Sequence, residues 1–419
     1  MTIHDDVAKL DRDRLRELFD LRSNSNAFAG GDYADDPNLA WNQLRAAAPV
    51  HEGTLHALTG VEDDLMFHGL PYPESPHFTA FTHAALDDAY RNEEVFASSA
   101  NAVDPKGEAS IESSMLSMGG AQHRRYRALV QPSFVPAKAQ WWITNWIEDL
   151  VQALVDRIVA EGRAELNVDF CAPIPVMTIT GSFGISVEDA LDVRASMSDP
   201  MKVIEMLIPI IEARRAEPAD DLISVLVQAE ITDEDGVAHR LTDAEIYSFA
   251  FLLLAAGSGT TWKQMGITLA ALLQRPDVLA EVREDRTLVK AAIEEGLRWM
   301  PTDPMFSRWV TQDIDFHGTQ IPKGAVLHLC LGAANRDPAR WEDRPDEFDL
   351  RRPMKPAMGF GGGAHICLGM HVARAEMATG INALLDRLPN LRLDPDAAPP
   401  QPVGFYERGV MEIPVVFDE

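Results

Sequence analysis

Cysteine is nearly missing from this chain: Cys171, Cys330 and Cys367 are the only three in 419 residues. A small, odd number gives no disulfide framework and suits a reducing compartment. Long apolar runs are missing as well. The longest, Phe249 to Ala256, falls far short of the roughly 20 residues that cross a bilayer and reads as part of a buried helix. The stretch from Met1 to Arg22 is charged and has no signal-peptide core. The expectation is a soluble, cytoplasmic protein with no membrane span. Basic residues are scarce, 37 Lys and Arg against 65 Asp and Glu, for a formal net charge of -28. Such a surface repels phosphates, which argues against nucleic acid, and most of its carboxylates read as a solvated face. No Pro/Gly/Ser linker, repeat or low-complexity tract divides the sequence. One domain over 1–419 is therefore expected, with a β-richer region at about 40–100 and a helical core at about 115–400. An apolar content of 46% can fill a core of that size.

What is present is mostly helical pattern. Apolar spacing predicts helices over Asn38 to Ala48, Ala85 to Phe96 and, as a long amphipathic segment, Trp141 to Glu161. Thr242 opens a capping box with Glu245, and the helix that follows can run to Arg275, where Pro276 stops it. Apolar nearly all round and roughly 50 Å long, that helix must be central. Further helices are predicted at Thr287 to Met300, before Pro301, and at Leu368 to Arg387. Strands are expected at Thr319 to Leu329 and Val410 to Phe417.

Phe360-Gly361-Gly362-Gly363-Ala364-His365-Ile366-Cys367-Leu368-Gly369 is the most informative stretch. A lone cysteine closes a glycine-rich loop just before a helix, where backbone N–H groups and the positive helix end favour a thiolate. Glycines let the backbone pass close to a flat group and supply positive φ angles.

This decapeptide resembles the cysteine-ligand loop of the cytochrome P450 enzymes, and other segments match that family in order over most of the chain. The resemblance implies a mainly α cytochrome P450 fold, a large helical unit with small peripheral β-sheets and a long central helix. It implies haem b, with Cys367 as the axial ligand of the iron, Phe360 packed beside the sulfur, Gly361 and Gly369 among the residues that bind the cofactor, and His365 close to a propionate. It also implies that His123 and Arg127, four apart on one helix face, and Arg308 serve the propionates. Glu295 and Arg298, three apart on one helix, would close a structural cluster with an arginine of Phe348-Asp349-Leu350-Arg351-Arg352; register favours Arg352, with Arg351 as the alternative.

The family's oxygen-side motif is altered here. In Ala255-Ala256-Gly257-Ser258-Gly259-Thr260-Thr261 the expected alcohol is Thr260, but Gly259 stands where the family places an acid. A missing carboxylate removes one expected proton relay. Water in the vacated space, ordered by Ser258 or Thr261, could take its place. Two glycines, each costing about 1 kcal/mol against alanine, predict a local opening or kink at this point. Lys263, one turn on, reads as a snorkelling surface lysine.

For the pocket wall the resemblance points to 103–118, 254–257, 304–306 and 405–406, and in particular to Ala256, Met305, Phe306 and Phe405. Two length differences stand out: a shortened lid between Gly184 and Asp220, and a looser stretch from His51 to Phe81 that either covers the entrance or is a surface excursion.

The implied activity is that of a haem-thiolate monooxygenase. It would hydroxylate a hydrophobic small molecule with dioxygen, taking electrons from a separate ferredoxin-type donor, since no flavin- or iron-sulfur-binding extension follows residue 419. Arg124, Arg125 and Lys355 are the expected docking cations. Two alternatives remain open: a peroxide-driven or non-oxygenating haem-thiolate enzyme, suggested by Gly259, and a haem-based gas- or ligand-binding protein.

Overall fold

A computed structural model describes residues 3–21, 33–61, 71–100, 114–232 and 236–418. Its centre is the helix Asp243–Leu273, of 31 residues. The start follows from Thr242: its hydroxyl accepts the Glu245 N–H while the Glu245 carboxylate accepts the Thr242 N–H at 2.7 Å. The two groups satisfy donors that an uncapped helix end leaves orphaned. Its end is Gln274, two residues before Pro276 opens the next helix. With no polar face to give to water, the helix is surrounded by Pro173–Gly181, Leu288–Trp299 and Met370–Arg387.

The opening expected at Gly257 and Gly259 is not there: the helix is unbroken α from Asp243 to Leu273. Packing is the reason. A Cβ on Gly257 would lie 2.9 Å from Ile179 Cγ1, so this glycine admits the neighbouring helix. Every residue from 261 to 273 is buried. Tertiary burial of that extent outweighs the weak propensity of two glycines.

Helix boundaries elsewhere follow local chemistry. The segment expected at Ala85 to Phe96 is a helix over His83–Arg91, because Thr82 caps it at Ala85 and Phe96 instead pairs with Val310 in a sheet. The Trp141 to Glu161 segment divides into Ala139–Trp142, a π-turn at Ile143–Ile147, and Glu148–Glu161, which ends at Gly162 with φ +71. The predicted lid region holds Val187–Ala195 and Pro200–Ala216.

One five-stranded sheet joins distant parts of the chain in the order Val50–Glu52, His77–Ala80, Val326–Cys330, Met305–Val310, Phe96–Ala97. Val326 pairs in parallel with His77, and the other neighbours are antiparallel. The strand expected at Thr319 to Leu329 is therefore two, Thr319–Ile321 in a hairpin with Ile314–Phe316, then Val326–Cys330. Pro322 and Gly324, at φ +83, separate them. The strand expected at Val410 to Phe417 likewise splits into Gly409–Val410 and Pro414–Val416, which belong to different sheets. Of the looser stretch His51 to Phe81, residues 62–70 lie outside the described residues.

Candidate active site

The loop before Met370–Arg387 owes its shape to Gly363. Its φ is +66, and a Cβ there would sit 2.2 Å from the Tyr90 carbonyl oxygen, so no other residue fits. The Cys367 N–H donates to the Phe360 carbonyl at 3.0 Å and folds the loop back on itself. The Phe360 ring lies under the Arg374 guanidinium, 4.7 Å from its centroid, and Arg374 is held by Glu294.

Cys367 is exposed, yet burial raises its thiol pKa, with the charge of Asp303 acting in the same direction and Gly369 N–H, Arg127 and Arg374 opposing. A side chain open to a solvent-sized space and at the same time crowded by protein lines an internal hollow. Cys171 and Cys330 differ: both are fully buried.

One end of this hollow is rich in basic groups. The rings of His123 and His365 stack at 3.9 Å. Burial, then His123, Arg308 and Arg127, push the His365 pKa down to about 3. His123 is lowered by burial and by Arg127, and Arg308 by burial. His123 Nδ1 and His365 Nε2 are buried and have no hydrogen-bond partner among the described residues. The nearest carboxylate, Glu93, is 3.8 Å from His365 Nε2 and is held by the Gly120 N–H. The half-buried guanidiniums of Arg127 and Arg308, beside ring nitrogens without partners, favour an anionic group at this edge. The structure therefore brings together the four residues assigned to the propionates, His123, Arg127, Arg308 and His365. A haem with a thiolate on its iron and two carboxylates at its edge fits the donor set. On coordination the Cys367 thiol would lose its proton outright.

Glu295 and Arg298 lie beneath this loop. Arg298 is 1% exposed; its Nε and Nη2 donate to the two Glu295 oxygens at 2.7 Å each, and its remaining donors reach the carbonyls of Asn335, Pro345 and Glu347. Arg352 Nε lies 3.3 Å from Glu295 Oε1, while Arg351 pairs with the exposed Glu281. Arg352 is thus the third member, as register favours.

The resemblance assigns the opposite wall to the middle of the central helix. Its residues are buried on both sides of a short window in which Ala255 and Ala256 are exposed and Gly257, Gly259 and Thr260 half-buried. Ser258 turns its hydroxyl back to the Ala255 carbonyl at 3.4 Å and is 2% exposed, and Thr261 is 8% exposed. Neither opens on the window, so the water-ordering role expected of them has no geometric support. Lys263 is not a surface lysine: it is 2% exposed and its Nζ lies 2.8 Å from Glu407 Oε1. Among the expected pocket residues, Ala256 and Phe306 are open. Met305 and Phe405 are not, because both pack in a cluster with Trp41, Leu55 and Phe81. Residues 103–113 of the expected wall lie outside the described residues.

Two acidic residues here were missed from sequence. Asp303 has its carboxyl pKa raised to about 7 by burial and by Glu407, against Lys263. Its charge also reaches Cys367. Only the adjacency of Glu407 to Phe405 and Tyr406 could have drawn attention to it.

The family model for cytochrome P450 matches residues 192–406. The monooxygenase PikC of Streptomyces venezuelae is 32% identical over 405 residues, 92% of each chain. The chain belongs to the cytochrome P450 family. Solved P450 structures agree. CYP109E1 of Bacillus megaterium, in complex with testosterone, has a TM-score of 0.76 at 25% identity, covering 92% of this chain and all of that one. P450BioI, in complex with an acyl carrier protein ligated to hexadec-9Z-enoic acid, has a TM-score of 0.74 at 27% identity, covering 91% and 98%. This P450 is therefore an oxidoreductase of the monooxygenase type, in a family that uses haem-thiolate iron, dioxygen and redox partners. No helix among its described residues is long and apolar enough to cross a membrane.

Proposed function

We propose that this P450 binds haem b through Cys367 and hydroxylates a hydrophobic small molecule, with electrons from a ferredoxin-type donor. The observation that carries the reading is the hollow itself, with an open cysteine in a loop that only glycine can make and a basic cluster that favours an anion at its edge. Haem held in this way supplies dioxygen activation at iron, promoted by electron donation from the thiolate. The chain's residues do the rest. Gly369 N–H supports the sulfur, Glu295, Arg298 and Arg352 hold the loop's foundation, and His123, Arg127, Arg308 and His365 hold the propionates. Ala256 and Phe306 give the hollow an apolar surface that suits a hydrophobic substrate, and Thr260 holds a hydroxyl at the window. Testosterone and a fatty acyl chain ligated to a carrier protein are bound by two of the solved neighbours, and both are largely apolar.

For the electron donor, Arg124 is exposed and Arg125 half-buried, in a chain of net charge -28. Lys355, half-buried, donates to the Arg340 carbonyl at 3.1 Å and lies 3.9 Å from Glu342. An acidic ferredoxin would be steered to this face. A cytoplasmic setting fits the three free cysteines.

The test is spectroscopic. Reduced protein with carbon monoxide is expected to show the red-shifted Soret band of thiolate ligation, and hydrophobic ligands are expected to displace water from the ferric iron. Absence of that band would remove the reading. Replacing Arg124 and Arg125 by glutamate should slow reduction by ferredoxin and not by dithionite; an unchanged rate would remove the docking face.

A further inference from the structure

We propose that Glu407 supplies, from the carboxy-terminal loop, the carboxylate that the central helix lacks at position 259, and that it relays protons to Thr260 and the space beside it. The inference rests on the haem-thiolate reading above.

The geometry is specific. A Cβ built on Gly259 would have Glu407 Oε1, at 3.7 Å, as its only neighbour within 4 Å among the described residues outside its own stretch of helix. The same oxygen is 2.8 Å from Lys263 Nζ. Residues 259 and 263 are four apart, the spacing at which a helical acid would itself pair with lysine. Glu407 thus occupies the place in the ion pair that an acid at 259 would take, and a glycine there leaves it the room.

The position of Glu407 is fixed from several sides. Gly404 has φ +88, and a Cβ on it would be 2.2 Å from the Glu407 carbonyl oxygen. Arg408 donates a side-chain N–H to the Gly404 carbonyl at 2.9 Å and its backbone N–H to the Thr302 carbonyl at 2.6 Å. The Thr302 hydroxyl donates back to the Arg408 carbonyl at 2.6 Å. Thr302 N–H in turn donates to Gln264 Oε1 at 2.9 Å, beside Lys263 on the central helix. Three segments remote in sequence are clamped together so that Asp303, Glu407 and Lys263 meet behind the window.

A buried ion pair is a weak device for stability, because desolvation offsets most of its attraction. Glu407 is 8% exposed and Lys263 2%. A second carboxyl, Asp303, gives the pair a use. Burial and the charge of Glu407 raise it to about 7, so that it exchanges its proton in the neutral range. A proton on Asp303 passes to the Glu407 carboxylate and from there to Thr260, which leaves Glu407 ionised again, and Asp303 is reprotonated from water. Neither carboxyl changes charge over a turnover, and the electrons come from the redox donor. Glu407 and Asp303 are relay and positioning residues, acting on the reaction through Thr260.

Three variants test this on haem-loaded protein that keeps the thiolate–carbon monoxide band: E407Q, the charge-free K263M/E407Q, and E407Q/G259D, which returns the carboxylate to the helix. E407Q should lower product formed per electron pair, with proton delivery slowed on the order of a hundredfold, and raise the solvent isotope effect. Turnover with hydrogen peroxide, which brings its own protons, is the comparison and should not fall. K263M/E407Q should stay uncoupled, whereas E407Q/G259D should recover. Independently of turnover, the infrared signal of the protonated Asp303 carboxyl should titrate at lower pH in E407Q, since the charge that raises it is gone. Wild-type coupling in E407Q, or recovery of coupling in K263M/E407Q, would overturn the proposal by showing a merely structural pair. A missing thiolate band in the unmodified protein would instead defeat the reading on which it rests.

Discussion

The two walls of the hollow are built in different ways. On the cysteine side, the decisive residues are close in sequence. The loop 360–369 carries its ligand, its glycines and His365, and Glu295 with Arg298 forms a bidentate pair within one helical turn. On the opposite side, Gly259 and Lys263 come from the central helix, Asp303 from the segment after the Leu288–Trp299 helix, and Glu407 from the carboxy-terminal loop. Their meeting depends on hydrogen bonds between Thr302, Arg408 and Gln264. A ligand side made of local motifs tolerates little change within each motif. A proton side assembled from remote segments can move a functional group from one segment to another while keeping its place in space.

The largest contrast is in the ligand itself. C367A should abolish the thiolate–carbon monoxide band and all oxygenation, whereas no single substitution among Lys263, Asp303 and Glu407 should do so; absorption spectra of the four variants check this. If a variant on the proton side also erased the band, the two walls would not be separable.

The buried charges give a second contrast. R298A strands the Glu295 carboxylate and several carbonyls, and should cost about 3–5 kcal/mol of stability, read from denaturant unfolding. K263M/E407Q removes both charges together and should cost within about 1 kcal/mol. Equal losses would mean that the Lys263–Glu407 pair is as structural as the Glu295 cluster.

Glu376, on the helix that follows the ligand loop, gives a pH contrast. It is 4% exposed, and burial raises its carboxyl from the ordinary 4.5 to about 8. The folded chain then holds a proton that the unfolded chain releases, so stability falls as pH rises from about 4.5 to about 8 and levels off above. Melting temperatures of E376Q should lose that part of the decline, exceeding wild type most clearly at alkaline pH. Parallel pH profiles for the two proteins would contradict the assignment.

The smallest effect separates two adjacent arginines. R351A removes an exposed pair with Glu281 and should change stability by about 0–1 kcal/mol. R352A unhooks a donor from the buried Glu295 and should cost more, by thermal melting. Equal effects would place the third member of the cluster in doubt.

The helices that set the fold were readable because their ends carry chemistry of their own: Thr242 with Glu245 at the start of the central helix, Pro276 after its end, Pro301 after Leu288–Trp299. The strands were read too long, since Pro322 and Gly324 break one and the other changes sheets between Val410 and Pro414. The glycine window was misread for a similar reason, because a propensity argument cannot see Ile179 lying against Gly257. Met305 and Phe405 looked like pocket residues by position, and their apolar neighbours Trp41, Leu55 and Phe81 make them core instead.

By itself the sequence determined the cysteine loop, the paired charges one helical turn apart and the length of the central helix, since each depends on spacing along a single segment. Only the tertiary structure decided that Lys263 is buried, that Ser258 turns away from the hollow, and that a carboxylate from position 407 fills the space at Gly259. Those outcomes depend on which distant segments come within a few ångströms of one another, and spacing along the chain does not encode that distance.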